Sequence, residues 1–351
     1  MRVAAKRVRL RDVAERAGVS VGSASQAFGR PELVSAAVRE RVLAAAAELG
    51  YAGPDPAARR LRLGRAGALG LIFQERLRYQ LTDTAALAFM VGFAQGMEGS
   101  ESGLLLIPDS PHREAVATAV RDAAVDGFVI YATATHDPRV EAALARHVPV
   151  VTVEQPRDAP TPFIGIDDRA AGRLAAEHLR ALGHERVGVL SFPRFLDRRG
   201  ELEIALTADR LAGYEDGLGE AWDAGAVRIA RRNSVDAGRR AAAELLASEP
   251  RPTALLAMSD VLAMGAVEAA AEAGLSVPAD LSVVGFDDSP VARLTSPPLT
   301  TVAQPHEEKG RLAAQWLLED IERGTPAEGR PRRTILPTQL VVRSSAGPPS
   351  D

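Results

Sequence analysis

The residues that could do chemistry are few in this sequence, and the clearest pattern among them is a serine between glycines. Residues 18–22 read GVSVG, which matches the G-x-S-x-G pattern of serine hydrolases. In those enzymes a strand precedes the serine and ends in a sharp turn. Here apolar side chains recur at helical spacing from Leu10 to Ala17, so a helix precedes Ser20. The pattern therefore does not predict a nucleophile.

Metal and cofactor chemistry also lack support in the sequence. The chain has no cysteine, which excludes disulfides, thiolate nucleophiles and cysteine-ligated metals. None of its six histidines has the i, i+4 spacing of a helical zinc motif: they are His112, His136, His147, His178, His184 and His306. The sequence also has no glycine-rich phosphate loop and no recognisable catalytic carboxylate pair. We therefore expect no metal, no cofactor and no enzymatic activity.

Charge is distributed unevenly along the 351 residues. Residues 1–65 contain thirteen Arg/Lys and six Asp/Glu, a net charge of +7, whereas the remainder has a net charge of −11. This asymmetry favours an anionic partner, such as nucleic acid, for the first part only. The sequence has no signal-peptide core and no uninterrupted apolar stretch of about 18 residues. We therefore expect a cytoplasmic protein that does not interact with membranes.

Three short helices are predicted at the N-terminus. The first ends at Gly18, where a left-handed backbone conformation meets no Cβ clash. Ser20 can cap a second helix that runs to about Phe28, and Ser35 can cap a third that ends at Gly50. Two helices about a tight turn, supported by a third, form a helix-turn-helix, in which the second helix enters the major groove of DNA.

This segment resembles the DNA-binding headpiece of the lactose-repressor (LacI/GalR) family in the stretches DVAERAGVSVGSASQAFG and VSAAVRERVLAAAAELGY. The stretch PDPAARRLRLGR resembles the hinge helix and linker of the family. The resemblance continues through GYEDGL, SVVGFDD and SPPLTTVAQP, so that it covers nearly the whole chain. It implies a headpiece at residues 1–53, a hinge helix and linker at 54–65, an effector-binding and dimerisation core at 66–345, and a flexible tail at 346–351.

The resemblance implies two sets of DNA-binding residues. In and beside the second helix these are Ser20, Val21, Gly22, Ser23, Ser25, Gln26 and Arg30. In the hinge they are Ala58, Arg59, Leu61 and Arg62, with Leu61 as the wedge that relatives insert into the minor groove. Gln26 stands where many relatives have arginine or histidine, and glutamine favours adenine whereas arginine favours guanine. We therefore expect an operator different from those of better-known relatives.

From Ala66 onwards, short apolar strands alternate with helical stretches. Runs such as GALGLIF and DGFVIYA are typical of buried strands in a parallel sheet. Two such series, divided near FIGID, predict two α/β lobes with a cleft between them. The expected fold class is a small all-α helix-turn-helix headpiece plus an α/β periplasmic-binding-protein-like core of two lobes with parallel sheets. The resemblance implies lobe 1 at about 66–165 and 299–329, lobe 2 at about 166–296 and 331–345, and crossovers near Gly165, Ser296 and Arg330.

A small-molecule effector is expected in this cleft, because ligands of such sheets bind beyond the carboxyl ends of the strands. Arg210 and Asp287 match the effector-binding arginine and aspartate of the family. The other candidates lie at strand ends or in segments that face the cleft in relatives: Tyr79, Asp83, Phe89, Glu154, Ser259 and His306. Asn233 falls where some relatives stack an aromatic ring on a sugar. A sugar or related metabolite is the effector class that the resemblance implies.

These features predict a homodimeric transcriptional repressor that binds double-stranded operator DNA under the control of an effector. A solute-binding protein and an α/β enzyme can use the same scaffold and are the alternatives. The basic headpiece and the lack of a signal peptide argue against the first. The lack of a catalytic constellation argues against the second.

Overall fold

A computed structural model of the chain describes residues 8–53, 64–109, 113–194, 204–324 and 331–350. The chain divides into two compact units, Met1–Gly67 and Ala68–Asp351, which are described separately. The expected hinge contacts Ala58, Arg59, Leu61 and Arg62 lie outside the described residues.

The helices of the first unit begin and end at the predicted caps. Gly18 and Gly50 take left-handed conformations, with φ of 65° and 66°. The Ser20 hydroxyl accepts a hydrogen bond from the backbone N–H of Ser23 at 3.0 Å, and Ser35 caps the third helix in the same way. The helices are α1 (Leu10–Ala17), α2 (Val21–Gly29) and α3 (Ala36–Leu49), with a 3₁₀ turn at Pro31–Leu33.

Small side chains fill the core of this unit. The buried residues are Val13, Ala14, Ala17, Ala24, Ala27, Val42, Ala45 and Ala46. Phe28 and Tyr51 pack against them as an edge-to-face pair whose ring centroids lie 5.8 Å apart. Because Ala24 and Ala27 turn one side of α2 inward, its other side, with Val21 and Gln26, faces solvent.

The second unit contains two six-stranded sheets, one in each lobe. The strands are β1 (Ala68–Phe73), β2 (Gly103–Ile107), β3 (Gly127–Tyr131), β4 (Val150–Val153), β5 (Phe163–Ile166), β6 (Val187–Ser191), β7 (Val227–Ile229), β8 (Ala254–Ala257), β9 (Ser282–Asp287), β10 (Thr300–Ala303), β11 (Arg333–Leu336) and β12 (Gln339–Val341). Their spatial orders are β11-β5-β4-β3-β1-β2 and β12-β10-β9-β8-β6-β7. Every neighbouring pair is parallel except β10 and β12. The expected fold class is therefore confirmed.

Helices cover both sheets. They are α4 (Leu77–Gln80), α5 (Thr84–Gly96), α6 (Arg113–Asp122), α7 (Pro138–Leu144), α8 (Asp168–Ala181), α9 (Ala205–Leu218), α10 (Val235–Leu246), α11 (Asp260–Glu272), α12 (Pro290–Leu294) and α13 (His306–Arg323), with 3₁₀ turns at Gly219–Ala221 and Ala224–Ala226. Glycines bring α5 and α13 into backbone contact. A Cβ on Gly92 would lie 1.8 Å from the carbonyl oxygen of Glu307, and one on Gly310 would lie 2.0 Å from that of Phe89. No helix in the described ranges has the length and apolar character needed to cross a membrane.

The lobe boundaries differ from the expected ones near the C-terminal end. Residues 300–303 were expected in lobe 1, but they form β10, which pairs with β9 in the second sheet. Residues 333–336 were expected in lobe 2, but they form β11, which pairs with β5 in the first sheet. The crossovers therefore follow β5, β10 and β11. These strands have only four residues each, too few for periodicity to assign them to a sheet.

The flexible tail expected from residue 346 is wrong for Ala346 and Gly347. The Gly347 N–H donates to the Ser282 hydroxyl at 3.0 Å, and its carbonyl oxygen lies 2.9 Å from Nε2 of His184. Ala346 packs against the core of lobe 2, and Ser345 is fully buried. Side-chain partners on β9 and after α8 thus hold the segment in place.

Candidate functional site

A cavity of about 160 Å³ lies between the lobes, beside the carboxyl ends of strands from both sheets. Tyr131 ends β3 and Glu154 follows β4 in lobe 1, whereas Phe192 follows β6 and Asp287 ends β9 in lobe 2. Six expected effector residues line it: Tyr79, Asp83, Glu154, Arg210, Asp287 and His306. Parallel strands from two sheets therefore bring together residues that are as much as 227 positions apart in the chain.

Two other expected effector residues, Phe89 and Ser259, do not line the cavity. Phe89 is buried in the core of lobe 1, where its ring stacks on Tyr131 at a centroid distance of 4.2 Å. The Ser259 hydroxyl caps α11 by accepting from the N–H of Leu262 at 3.1 Å, and it donates to Oδ1 of Asn233 at 2.5 Å. Both residues support side chains that line the cavity.

Arg210 is buried in the wall of the cavity and holds several partners at once. Its Nε donates to Asp168 and its Nη1 to the carbonyl oxygen of Met258, both at 2.9 Å. The guanidinium carbon lies 3.8 Å from the ring centroid of Phe286. Burial is the largest single influence and would lower the pKa of Arg210, but Asp168 and, to a lesser extent, Asp287 and other neighbouring groups together outweigh it and raise this pKa. Asp168 also accepts from Arg157 at 2.6 Å, so one carboxylate at the start of α8 joins Arg210 to the β4–β5 loop of lobe 1.

Asp287 ends β9 with a φ of 117°, a conformation that residues with a Cβ rarely adopt. The side-chain amide of Gln304 donates to its Oδ1 at 2.5 Å, and Nε2 of His306 lies 3.4 Å from the same oxygen. Such backbone strain concentrates at functional sites, where neighbouring contacts maintain it. Gln304 maintains the carboxylate of Asp287 in its position beside the cavity.

A buried ion pair lies behind this wall. Lys309, fully buried on α13, donates to Oε1 of Glu154 and to the side-chain oxygen of Gln304. Burial is the largest single influence and would raise the pKa of Glu154, but the charge and hydrogen bond of Lys309, with smaller contributions from Arg210 and His306, together outweigh it, so this pKa lies below its usual value. Lys309 was not among the residues expected at this site. Its signal was present, because the chain has only two lysines and this one shares the inward face of α13 with Gly310 and Ala313.

Asn233 connects the lobes at the edge of the cavity. The Tyr79 hydroxyl donates to the backbone carbonyl oxygen of Asn233 at 3.1 Å, and the side-chain amide of Asn233 donates to Asp83 at 3.3 Å. Tyr79 and Asp83 belong to lobe 1, whereas Asn233 precedes α10 of lobe 2. Burial, and secondly the charge of Asp287, raise the pKa of Asp83.

Aromatic rings line the cavity even though Asn233 occupies the position at which the resemblance implied a stacking ring. They belong to Tyr79, Tyr131 and Phe192. Phe192 is the first residue after β6, and its place at a strand end was the signal that could have found it.

Asp260 is a further buried carboxylate of lobe 2, near enough to Asp287 to be affected by its charge. Asp260, the first residue of α11, accepts from the N–H of Ser289 at 2.7 Å and from its hydroxyl at 3.0 Å. It also accepts from the hydroxyl of Thr301 at 2.5 Å. Burial, and secondly Asp287, raise the pKa of Asp260 to about 7. This carboxyl group therefore titrates near neutral pH in the folded protein.

The outer face of α2 is the candidate DNA-binding surface of the first unit. Ser20, Val21, Gly22, Gln26 and Arg30 are exposed there, and the remaining two expected contacts, Ser23 and Ser25, are half-buried. A Cβ on Gly22 would meet only the Ser20 hydroxyl, at an ordinary 3.6 Å. Packing within this unit therefore does not require glycine at this position.

Within the described ranges, no group of three or more His, Asp or Glu side chains is arranged to hold a metal ion.

Together, the helix-turn-helix unit and the two-lobed core with its cavity define a DNA-binding regulator with a ligand-binding domain. Residues 9–53 match the model of bacterial regulatory proteins of the lacI family, and residues 176–346 match a periplasmic binding protein-like domain. The chain is 39% identical over 360 residues to the HTH-type transcriptional regulator Rv3575c of Mycobacterium tuberculosis, with 98% of each chain covered. It belongs to the LacI family and is an HTH-type transcriptional regulator.

Solved structures agree over almost the full chain. The lac repressor dimer bound to operator and the anti-inducer ONPF is 30% identical, with a TM-score of 0.78 over 97% of this chain and 100% of that chain. The complex of the transcriptional regulator CelR with cellobiose is 28% identical, with a TM-score of 0.71 over 97% of this chain and 100% of that one.

Proposed function

We propose that this regulator is a repressor whose operator affinity is set by a small-molecule effector in the cavity between the lobes. The observation that supports this most directly is the wall of the cavity, which both lobes supply and which Asn233 joins across its edge. A ligand that contacts both lobes stabilises one relative arrangement of them over another. A ligand can change DNA affinity only through such a difference between two states.

On the DNA side, we propose that Ser20, Val21, Gly22, Ser23, Ser25, Gln26 and Arg30 face the major groove, and that Ala58, Arg59, Leu61 and Arg62 face the minor groove. The exposure of α2 and the resemblance of residues 54–65 to the family hinge support these assignments. We also propose that the protein binds a pseudo-palindromic operator as a homodimer, because the similar lac repressor is a dimer on operator DNA in its structure. Such a protein acts in the cytoplasm, where the DNA is.

On the ligand side, we propose a sugar or a related polyhydroxylated compound. The rings of Tyr79, Tyr131 and Phe192 offer apolar faces, and Asp83, Arg210 and Asp287 offer hydrogen-bonding groups. The CelR structure holds cellobiose, and another LacI-family structure holds ribose. We propose no catalytic activity, and the headpiece disfavours a solute-binding protein for transport.

The test is a gel-shift assay of the full-length protein on DNA from upstream of its own gene, at several salt concentrations and with candidate sugars. We expect specific, salt-sensitive binding that at least one ligand changes. Leu61→Ala should weaken specific binding far more than non-specific binding, because the arginines around it remain. Leu43→Ala, a matched change at an exposed position of α3, should leave both unchanged. Absence of specific binding with and without ligands would contradict the proposal.

A further inference from the structure

Arg157 joins the two lobes beside the crossover that follows β5. It lies in the loop between β4 and β5 of lobe 1, whereas Asp168 begins α8 and Asp209 lies on α9, both in lobe 2. Its Nη2 donates to Asp168 at 2.6 Å, and its Nη1 contacts the carboxylate of Asp209. The side chain of Asp168 is fully buried, and that of Asp209 is 34% exposed. We refer to these three residues as the hinge brace.

The hinge brace is anchored at its lobe 1 end. Nη1 of Arg333 on β11 donates to the backbone carbonyl oxygen of Arg157 at 2.9 Å, and the guanidinium carbon of Arg333 lies 4.3 Å from the ring centroid of Phe163 on β5. The backbone at Arg157 therefore moves with the sheet of lobe 1. A rotation of one lobe relative to the other changes the distance from Arg157 to Asp209, so this contact favours the described angle between the lobes.

Three other hydrogen bonds that join the lobes around the cavity are longer and have uncharged donors. The Tyr79 hydroxyl lies 3.1 Å from the carbonyl oxygen of Asn233, and the side-chain amide of Asn233 lies 3.3 Å from Asp83. The backbone N–H of Leu206 donates to Gln155 at 3.3 Å. Hydrogen bonds between charged groups are shorter and about twice as strong. The hinge brace therefore contributes more to the angle between the lobes than any one of these contacts.

The hinge brace can open without leaving a buried charge unpaired. When Arg157 leaves, Asp168 keeps Nε of Arg210 at 2.9 Å, and Asp209 is exposed enough to be hydrated. Nε of Arg157 is buried without a hydrogen-bond partner among the described residues, and an unmade hydrogen bond of this kind is costly. Hydration of this atom on opening offsets part of the lost contact. The arrangement therefore favours one angle between the lobes but permits another.

We propose that the hinge brace is a conformational gate: Arg157 holds the lobes together over the cavity, and its release admits a ligand. The cavity measures about 160 Å³, whereas ligand pockets typically measure about 300–1,000 Å³, so a ligand of ordinary size requires a wider angle between the lobes. The gate concerns access to the cavity and does not depend on which ligand enters or on which DNA is bound.

Cysteine reactivity measures this opening without any ligand, because the chain has no cysteine of its own. Ala86→Cys and Ala230→Cys place a thiol in the cavity wall on lobe 1 and on lobe 2, where each alanine is no more than 3% exposed. Ala142→Cys places a thiol in the core of lobe 1, outside the cavity lining. Each full-length protein reacts with iodoacetamide, an uncharged reagent, and mass spectrometry gives the rate relative to that in urea, which reports how often the site opens.

With Arg157→Ala we expect both cavity thiols to react about 10- to 100-fold faster, because a partly buried ionic contact between the lobes is lost. Asp209→Ala removes the more exposed partner and should accelerate the reaction about 2- to 5-fold. The two changes together should be no faster than Arg157→Ala alone, since both break the same contact. Asp216→Ala is the matched control: this carboxylate is on the same helix, 36% exposed and paired with Arg169 of the same lobe, so both rates should stay unchanged.

Unchanged rates at both cavity thiols in Arg157→Ala and in Asp209→Ala would overturn the proposal. Acceleration at only one cavity thiol would also refute it, because this result indicates loosening within a single lobe. An equal acceleration at Ala142→Cys would indicate a general loss of stability and would likewise remove the gate.

Discussion

Arg210 gives the most direct test of how the site is held together. Removing its side chain with Arg210→Ala deprives the buried Asp168 of a partner at 2.9 Å and leaves the carbonyl oxygen of Met258 without its donor. Breaking a buried ion pair by removing one member typically costs about 3–5 kcal/mol. Because Asp168 keeps Arg157 at 2.6 Å, we expect a loss at the lower end of this range, about 3 kcal/mol.

Urea unfolding of the full-length protein, followed by circular dichroism, measures this loss as a lower free energy of unfolding. The matched control is Arg169→Ala on α8, which removes an exposed arginine paired with Asp216 and should leave the free energy of unfolding nearly unchanged. If Arg210→Ala fell within about 1 kcal/mol of the wild type, Arg210 would not anchor the wall as described. The same change would also abolish effector binding, so that Asp287→Asn is the cleaner test of the effector contact itself.

Three further outcomes are expected. Gly92→Ala should destabilise lobe 1 by about 1–3 kcal/mol in thermal or urea unfolding, because its Cβ would meet the backbone of Glu307; a stability equal to the wild type would contradict the close approach of α5 and α13. The pKa of Asp260 is raised to about 7, so its carboxyl group keeps a proton in the native state that it loses in the unfolded chain above about pH 4. Because the native state then binds more protons than the unfolded state, the free energy of unfolding should fall by up to about 4 kcal/mol as the pH rises from 4 to 7. Asp260→Asn should remove this slope, and an unchanged pH dependence would disprove the assignment. Ser20→Ala should destabilise the first unit by about 1 kcal/mol in thermal unfolding by removing the cap on Ser23, whereas no change would show that the cap contributes nothing.

Helix ends and the order of strands and helices could be predicted from the sequence, because residues close together in the chain determine them. Gly18 and Ser20 mark helix ends through backbone conformation and a side-chain hydrogen bond, and both are where they were expected. The alternation of apolar strands and helices likewise predicted two parallel sheets. The start of α9 at Ala205 has no such signal, because Ile204 at its cap position makes no side-chain hydrogen bond to the helix.

The predictions that were wrong or missing concern packing between segments that are distant in the sequence. Phe89 belongs to a segment that was expected to face the cleft, but its ring points into lobe 1 and stacks on the ring of Tyr131. Lys309 went unnoticed because a lysine in a helix is ordinarily solvated, and only the fold brings Glu154 beside it. The pairing of β10 and β11 with different sheets could not be inferred from runs of four residues.

The crossed placement of β11 and β12 has a consequence for the synthesis of the protein. Residues 333–336 complete the sheet of lobe 1, residues 339–341 complete that of lobe 2, and Gly347 closes against Ser282. During translation the headpiece emerges whole and early, whereas neither lobe can gain its last strand until these residues leave the ribosome. A message damaged late in its reading frame would thus yield a chain with a DNA-reading module but two unfinished lobes, prone to aggregation and proteolysis.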